Sequence, residues 1–347
     1  MRYRSVGSCA AGSGSTPRGP DVERRARLEV RAFTDDVIDD AARLLAVRHR
    51  QQRTAEPGLS PIYEDVAAAR TEIETLASKE GASGAVGLRG GQVVGYLVGT
   101  PREPSSWGPN MWVEGAGHAV AEPELVRDLY GAAAAIWVEM GATRHHAVVP
   151  ATDPALVDAW FRSGFGQQHV HAIREAPGPG QRFAVPPGLT IRPAERHDVP
   201  MLGRLDVALP EHQALSPVFS RMPLPSLDEA VAEYEEGFDD PAFATFVAEH
   251  SGRVIGSAVG CAIEESSEHR GIVRPDRAGF LGFAAVLPEA RGLGAGRALG
   301  EAVLIWARDA GHPTVVTDWR ETNLLSSRAW PSLGFRPTFR RLFRAIA

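Results

Sequence analysis

Three glycines follow an apolar run late in the chain. Residues 280–286 read Phe-Leu-Gly-Phe-Ala-Ala-Val; after Leu287-Pro-Glu-Ala come Arg291, Gly292, Leu293, Gly294, Ala295, Gly296 and Arg297. The apolar run predicts a strand, and the residues from Gly294 onward predict the start of a helix. Glycines at such a junction let the backbone approach a ligand closely. A helix N-terminus carries N–H groups without intrahelical partners and the positive end of the helix dipole, which suits a phosphate or pyrophosphate. Arg291 and Arg297 flank it with charge-assisted donors.

Two other readings compete for this stretch. A dinucleotide-binding turn wants G-x-G-x-x-G directly after its strand. Here the sixth position from Gly292 is Arg297, and residues 287–291 intervene, although Asp318 at the end of the next apolar run imitates the ribose-binding acid. A glycine-rich turn with a purely structural role is the plainer alternative. There is no G-K-[ST], so the chain has no standard phosphate-binding P-loop, and its one lysine, Lys79, lies in a polar Ser-Lys-Glu-Gly stretch that suits solvent better than Schiff-base chemistry.

The elements that must position these residues occur twice. Gly91, Gly95 and Gly99 recur at one constant offset as Gly252, Gly256 and Gly260, and Leu28-Glu-Val-Arg31 recurs as Leu189-Thr-Ile-Arg192. Trp137 returns as Trp306, and Trp160 with Gly164-Phe165 returns as Trp330 with Gly334-Phe335. Each half predicts a short strand (28–32; 189–193), helices opening near Asp35 and Asp198, and a second helix (63–79; 226–237). A glycine hairpin (82–89 and 92–99; 243–249 and 253–263), a further strand and a long helix (124–140; 296–310) follow. A strand (144–149; 314–318), a short helix and a last strand (168–174; 338–345) close each half. This is an α+β unit on a mixed sheet flanked by helices, used twice. Residues 176–188 form a Pro/Gly-rich linker, and residues 1–26, rich in Gly, Ser, Pro and Arg, read as a disordered tail without the apolar core of a secretory signal.

Composition excludes several classes. The 347 residues carry 37 basic and 43 acidic side chains, a net charge of −6, which argues against nucleic-acid binding by phosphate neutralisation. Two cysteines, Cys9 and Cys261, exclude a disulfide framework or a four-cysteine zinc site and fit a reducing cytoplasm. No apolar run is long enough to span a membrane. His145-His146 and His169-x-His171 suggest adjacent strands of the first half, but without metal-ligand spacing they read as strand histidines.

Arg291-x-x-Gly294-x-Gly296 after a strand, then Asn323 and Trp330-x-x-x-Gly334-Phe335, resembles the GCN5-related N-acetyltransferase (GNAT) family. The resemblance covers residues 189–347. Residues 27–175 resemble the same fold as a degenerate copy, because Gly117 to Arg127 holds no R-x-x-G-x-G. The resemblance implies two tandem acyl-CoA N-acyltransferase-like domains, with acetyl-CoA as co-substrate and no metal. It places the pyrophosphate on the backbone of Arg291, Gly292, Leu293, Gly294, Ala295 and Gly296 with Arg297 nearby. The pantetheine arm goes on the edge of Ala284, Ala285 and Val286, and Asn323 contacts that arm or an ordered water.

Acetyl transfer to an amine needs a base for the ammonium proton and an acid for the leaving thiolate. Many family members supply the acid as a tyrosine four residues before Gly-Phe; this chain has Trp330, whose indole cannot release a proton at neutral pH. Ser326 and Ser327 are the nearest hydroxyls, and Tyr234, the one tyrosine of the second half, falls on a predicted helix. The strand 280–286 also lacks the glutamate of many relatives. Asp318, at a strand end, is the favoured base, with Glu321, His212, Glu264 and Glu265 as further candidates; a capping or ion-pair role is the plain reading of Asp318, and an exposed loop that of His212. The charges of Glu264–Arg270 suit solvent. The expected function is acetylation of a primary amine on a small molecule, or on a protein, in a ternary complex. An acyl-CoA-binding sensor or interaction module without turnover is the alternative. Expected partners are a small-molecule amine with neither nucleic acid nor membrane, in a monomer or homodimer.

Overall fold

A computed structural model describes residues 27–220, 224–267 and 269–346. The expected disordered tail lies outside them. The first half runs β1 (Leu28–Ala32), α1 (Ile38–Ala55), α2 (Val66–Ala77), β2 (Ser83–Arg89), β3 (Gln92–Gly99), α3 (Pro104–Trp107), β4 (Asn110–Val113), β5 (His118–Val120), α4 (Leu125–Glu139), β6 (Arg144–Pro150), α5 (Pro154–Arg162) and β7 (Gly166–Glu175). The second runs β8 (Leu189–Pro193), α6 (Val199–Ala214), α7 (Leu227–Gly237), β9 (Phe243–His250), β10 (Arg253–Ala262), β11 (Ala278–Val286), α8 (Ala295–Asp309), β12 (Thr314–Arg320), α9 (Ser326–Ser332) and β13 (Arg336–Ala345).

The repeated residues mark equivalent packing. Strand β3 ends in Gly99, where an added Cβ would lie 2.5 Å from the Trp137 ring of α4. In the second half Gly260 of β10 stands against Trp306 of α8 in the same way, at 2.8 Å. Only glycine lets the long helix press its tryptophan on the sheet at these positions. Helix α8 buries Ala298, Leu299, Val303, Leu304 and Ala307, one apolar face, against β10 and β11. The helices after β1 and β8 open near Asp35 and Asp198 as expected, and Asp198 is the N-cap residue of α6. Each is preceded by a 3-10 turn, whose N-caps are Thr34 and Glu195; the Asp198 carboxylate closes the capping box of its turn by accepting from the Glu195 backbone N–H, and also accepts from Arg192, but makes no side-chain bond to α6.

The last strands exchange between the halves, which repetition alone does not show. The larger sheet has the order β4-β6-β13-β7-β12-β11-β10-β9-β8. Strand β7, from the first half, pairs antiparallel with β12 from Thr314↔Glu175 to Arg320↔His169. Strand β13, from the second half, pairs antiparallel with β6 from Phe339↔Pro150 to Ala345↔Arg144. The histidine pairs of β6 and β7 are therefore not on adjacent strands, since β13 lies between them. Phe339 and Leu342 of β13 are fully buried, and Arg336 binds both Glu56 at the end of α1 and Glu175 of β7.

The first half also departs from the second in its central strand. Where β11 is continuous, the first half breaks at residues 114–117 into β4, which pairs with β6, and β5, which pairs with β3. The buried Arg48 of α1 fills the break, donating to the backbone oxygens of Gly115 (2.6 Å) and His118.

Several histidines are buried in neutral form. Burial pushes His49, His145 and His269 down to about 4, and His118 and His146 down to about 3. The folded state thus binds fewer protons than the unfolded state below the ordinary histidine value of 6.5. Stability is expected to fall as pH drops from 6.5 towards 4, with a slope of about 1.4 kcal/mol per pH unit for each such histidine. Urea unfolding at pH 7.5, 6 and 5 measures this; an unchanged midpoint across that range refutes it.

Candidate active site

Strands β11 and β12 run parallel and pair only from Ala278↔Thr314 to Leu281↔Thr317. Beyond that point they diverge. The Thr317 hydroxyl donates to the Leu281 backbone oxygen (2.9 Å) and closes the fork at its narrow end. On the other side β11 stays paired with β10, but the register jumps from Val259↔Phe283 to Gly260↔Leu281, leaving Gly282 as a bulge. A bulge bends its strand locally, and here it turns β11 away from β12. Ala284, Ala285 and Val286 pair with β10 on one edge and present the other to the fork.

A cleft of about 600 Å3 occupies the fork. Gly282–Val286 form one wall, and Ala290, Arg291, Gly292, Gly294, Ala295 and Gly296 form one end. Gly292 and Gly294 have φ of 89° and 86°, the left-handed region that favours glycine. Gly294 is the N-cap of α8 and provides no side-chain cap. The first-turn N–H groups of α8 thus face the cleft end without a capping side chain, as an anion site requires. Two residues expected in this cradle stand outside it. Leu293 is exposed and does not line the cleft, and Arg297 also points away, its Nε held 2.9 Å from Glu301.

The opposite end gathers Asp318 of β12, His212 and Gln213 of α6, Asn323, and His169 of the exchanged β7. Asp318 Oδ1 lies 3.3 Å from His169 Nε2, and Oδ2 lies 4.0 Å from His269 Nδ1. The carboxylate side chain keeps 21% exposure, whereas His169 and His269 are buried. Burial is the main reason that His169 and His171 sit well below the ordinary histidine value. His212 Nε2 donates to Asn323 Oδ1 (3.3 Å), which also accepts from the Leu325 backbone N–H, so Asn323 ties α6 to the start of α9.

Other sequence candidates fall outside the cleft. The Glu321 carboxylate accepts the Trp319 indole N–H (2.9 Å) and is not in the lining. Glu264 and Glu265 are exposed, and Glu264 pairs with Arg274. The segment around them does not lie wholly in solvent, because Ser266 and His269 turn inward and share a hydrogen bond of 2.9 Å. Ser326 and Trp330 line the cleft; Ser327 and Tyr234 do not. Cys261 is buried and its thiol is pushed up to about 12 by burial. Sequence reasoning missed His169, Gln213 and Arg320 of the lining; the alternation of His169 with His171 marks a strand face, but not which half that strand joins. Among the described residues no group of three or more His, Cys, Asp or Glu is placed to hold a metal ion.

The first half has a cleft of its own, about 530 Å3, lined by Glu114, Gly115, Ala116 and Val148 beside its strand break, but no residue of the α4 N-terminus lines it. Arg48 occupies its strand break, and α4 opens on Glu124, a carboxylate paired with Arg127 and Arg162, at the place where α8 opens on Gly294. An acidic N-cap repels an anion.

A bulged, forked parallel strand pair with a glycine-opened helix beyond it defines a class. Residues 212–335 match the model of the Acetyltransferase (GNAT) family. The chain is 32% identical over 196 residues to a mycothiol acetyltransferase of Thermomonospora curvata, an alignment covering 55% of this chain and 58% of that relative. The fold is that of a GCN5-related N-acetyltransferase from Sphaerobacter thermophilus, with a TM-score of 0.54 at 15% identity over 92% of this chain and 95% of that one. A GCN5-related glucosamine N-acetyltransferase region of a fungal multi-domain GH3 beta-N-acetylglucosaminidase is also similar, with a TM-score of 0.50 at 17% identity, covering 95% of this chain and 39% of that one. Among the described residues no helix is long and apolar enough to cross a membrane.

Proposed function

We propose that the protein transfers the acetyl group of acetyl-CoA to a primary amine of a small molecule, by direct attack in a ternary complex within the β11–β12 cleft. One observation carries this reading: the glycine cradle of α8, the unpaired edge of β11 and the Asp318 carboxylate line a single cleft. The family match and the mycothiol acetyltransferase relative support it.

The cradle fits a pyrophosphate, and acetyl-CoA supplies the thioester to be cleaved. A backbone N–H on the fork edge of β11, at Ala284 or Val286, polarises the thioester carbonyl as an oxyanion hole does. Asp318 accepts the proton from the acceptor ammonium and frees the amine for attack. Trp330 has no proton to give, so the leaving sulfur is protonated by water or by Ser326, or departs as thiolate. Asp318 in the cleft and the chain's negative charge favour cationic acceptors. The second half carries the site and the first half, whose long helix opens on Glu124 rather than on glycine, does not bind acetyl-CoA.

Calorimetry with acetyl-CoA, and NADH as control, tests this first. One site for acetyl-CoA and none for NADH is expected, followed by thiol release with a panel of an aminoglycoside, a polyamine and an amino sugar. Two sites refute the assignment of a single functional half. Binding without thiol release for any amine favours a sensor.

A further inference from the structure

The first half lacks the glycine-opened helix yet extends a side chain into the cleft of the second. His169 arrives on β7, seated beside β12 by the strand exchange. Its Nε2 faces Asp318 Oδ1, and its Nδ1 is buried with no partner in the protein. A carboxylate at Nε2 selects the tautomer with the proton on that nitrogen, leaving the lone pair on Nδ1. His269, anchored to Ser266, approaches the second carboxylate oxygen from the other side. Asp318 is thus flanked by two imidazoles, one from each half of the chain, and keeps its exposure towards the cleft.

A lone aspartate is a weak base for this task. Its ordinary value near 4 lies about six units below that of an alkylammonium. Groups coupled across a short contact take up protons as a pair, with values that belong to neither alone. The other groups facing His169 are Arg320 on β12, Arg341 on β13, His171 on its own strand and His269. With burial, these keep the ring neutral before reaction, so the pair begins as carboxylate and neutral imidazole.

We propose that His169 is a positioning residue for Asp318, donating its Nε2 proton to the carboxylate and sharing the proton that Asp318 takes from the acceptor, so that the first half completes the site of the second. This rests on the acetyl-transfer reading. An ammonium N–H bond breaks and its proton goes to the Asp318–His169 pair. The freed lone pair forms the C–N bond to the acetyl carbon. The C–S bond breaks with its electrons leaving on sulfur, the attacking nitrogen gives up its second proton through water to that sulfur or to solvent, and the pair returns its own proton to solvent after release.

The full chain bearing His169→Phe or His169→Gln tests the proposal, with acetyl-CoA and whichever panel amine turns over fastest. Phe keeps a ring and removes the donor; Gln keeps an N–H for Asp318. Phe is expected to lower kcat about 100-fold, and Gln to recover about tenfold of that. Both should displace the acidic limb of kcat/KM and leave acetyl-CoA affinity unchanged. A purely structural role would not move that limb. An unmoved limb with kcat within about twofold of the native value, or Gln as slow as Phe, overturns the proposal. A second measurement needs no turnover. Long-range nitrogen–proton NMR should show the Nε2–H tautomer of His169 at neutral pH, lost in Asp318→Asn. An Nδ1–H tautomer overturns the pairing whether or not an amine is acetylated; the expected tautomer without any acetylation counts against the acetyl-transfer reading alone.

Discussion

Asp318→Asn is expected to lower kcat by about 10²–10⁴-fold while leaving the dissociation constant of acetyl-CoA unchanged. The substitution conserves shape and removes the charge. Asp318 lines the cleft from β12, apart from the glycine cradle at the start of α8, so a loss confined to kcat separates proton transfer from co-substrate binding. The neighbouring carboxylate cannot substitute, because Glu321 is engaged by the Trp319 indole. Steady-state kinetics against pH with the preferred amine, beside calorimetry with acetyl-CoA, decides the point. Full turnover in the variant would exclude Asp318 as the base and move attention to His212, the remaining titratable sequence candidate in the lining.

Gly294→Glu is expected to weaken acetyl-CoA binding by roughly 100-fold or more. Two effects add. A side chain at φ 86° costs about 1–2 kcal/mol in the left-handed region. Its Cβ would also lie 2.9 Å from Pro186 of the linker, which must shift. The new carboxylate then sits at the positive end of α8, worth about 1 kcal/mol against an anionic ligand. The strain and the clash lower affinity by shifting the cradle N–H groups away from the pyrophosphate, and the repulsion adds to that; two decades in affinity correspond to about 3 kcal/mol. Calorimetry measures the affinity, and circular dichroism with thermal unfolding verifies that the chain is folded. Undiminished binding would show that acetyl-CoA does not use the α8 N-terminus.

Reading the residues locates the elements better than it locates their partners. The strand and helix around Gly292–Gly296 are legible because an apolar run, a glycine cluster and a helical apolar face are all local in the chain. The repeat is legible too, since Gly99 with Trp137 and Gly260 with Trp306 answer the same packing problem. Side-chain direction is less so. Arg297 looks like a ligand-binding cation by position, but lies one helical turn from Glu301 and pairs with it. Leu293 follows the cradle in sequence and still points outward.

What the chain determined by itself is the pair of α+β units, the glycine-opened helix and the absence of that opening at Glu124. Tertiary structure alone decided which half receives each last strand, and hence that His169 meets Asp318. The reason is physical. β7 and β13 close their halves at equivalent places in the repeat, and no local feature of either sequence marks which half it will join. The choice depends on long-range packing, such as Arg336 between Glu56 and Glu175, and on the plugging of the first strand break by Arg48. Neither contact joins residues that are near one another in sequence.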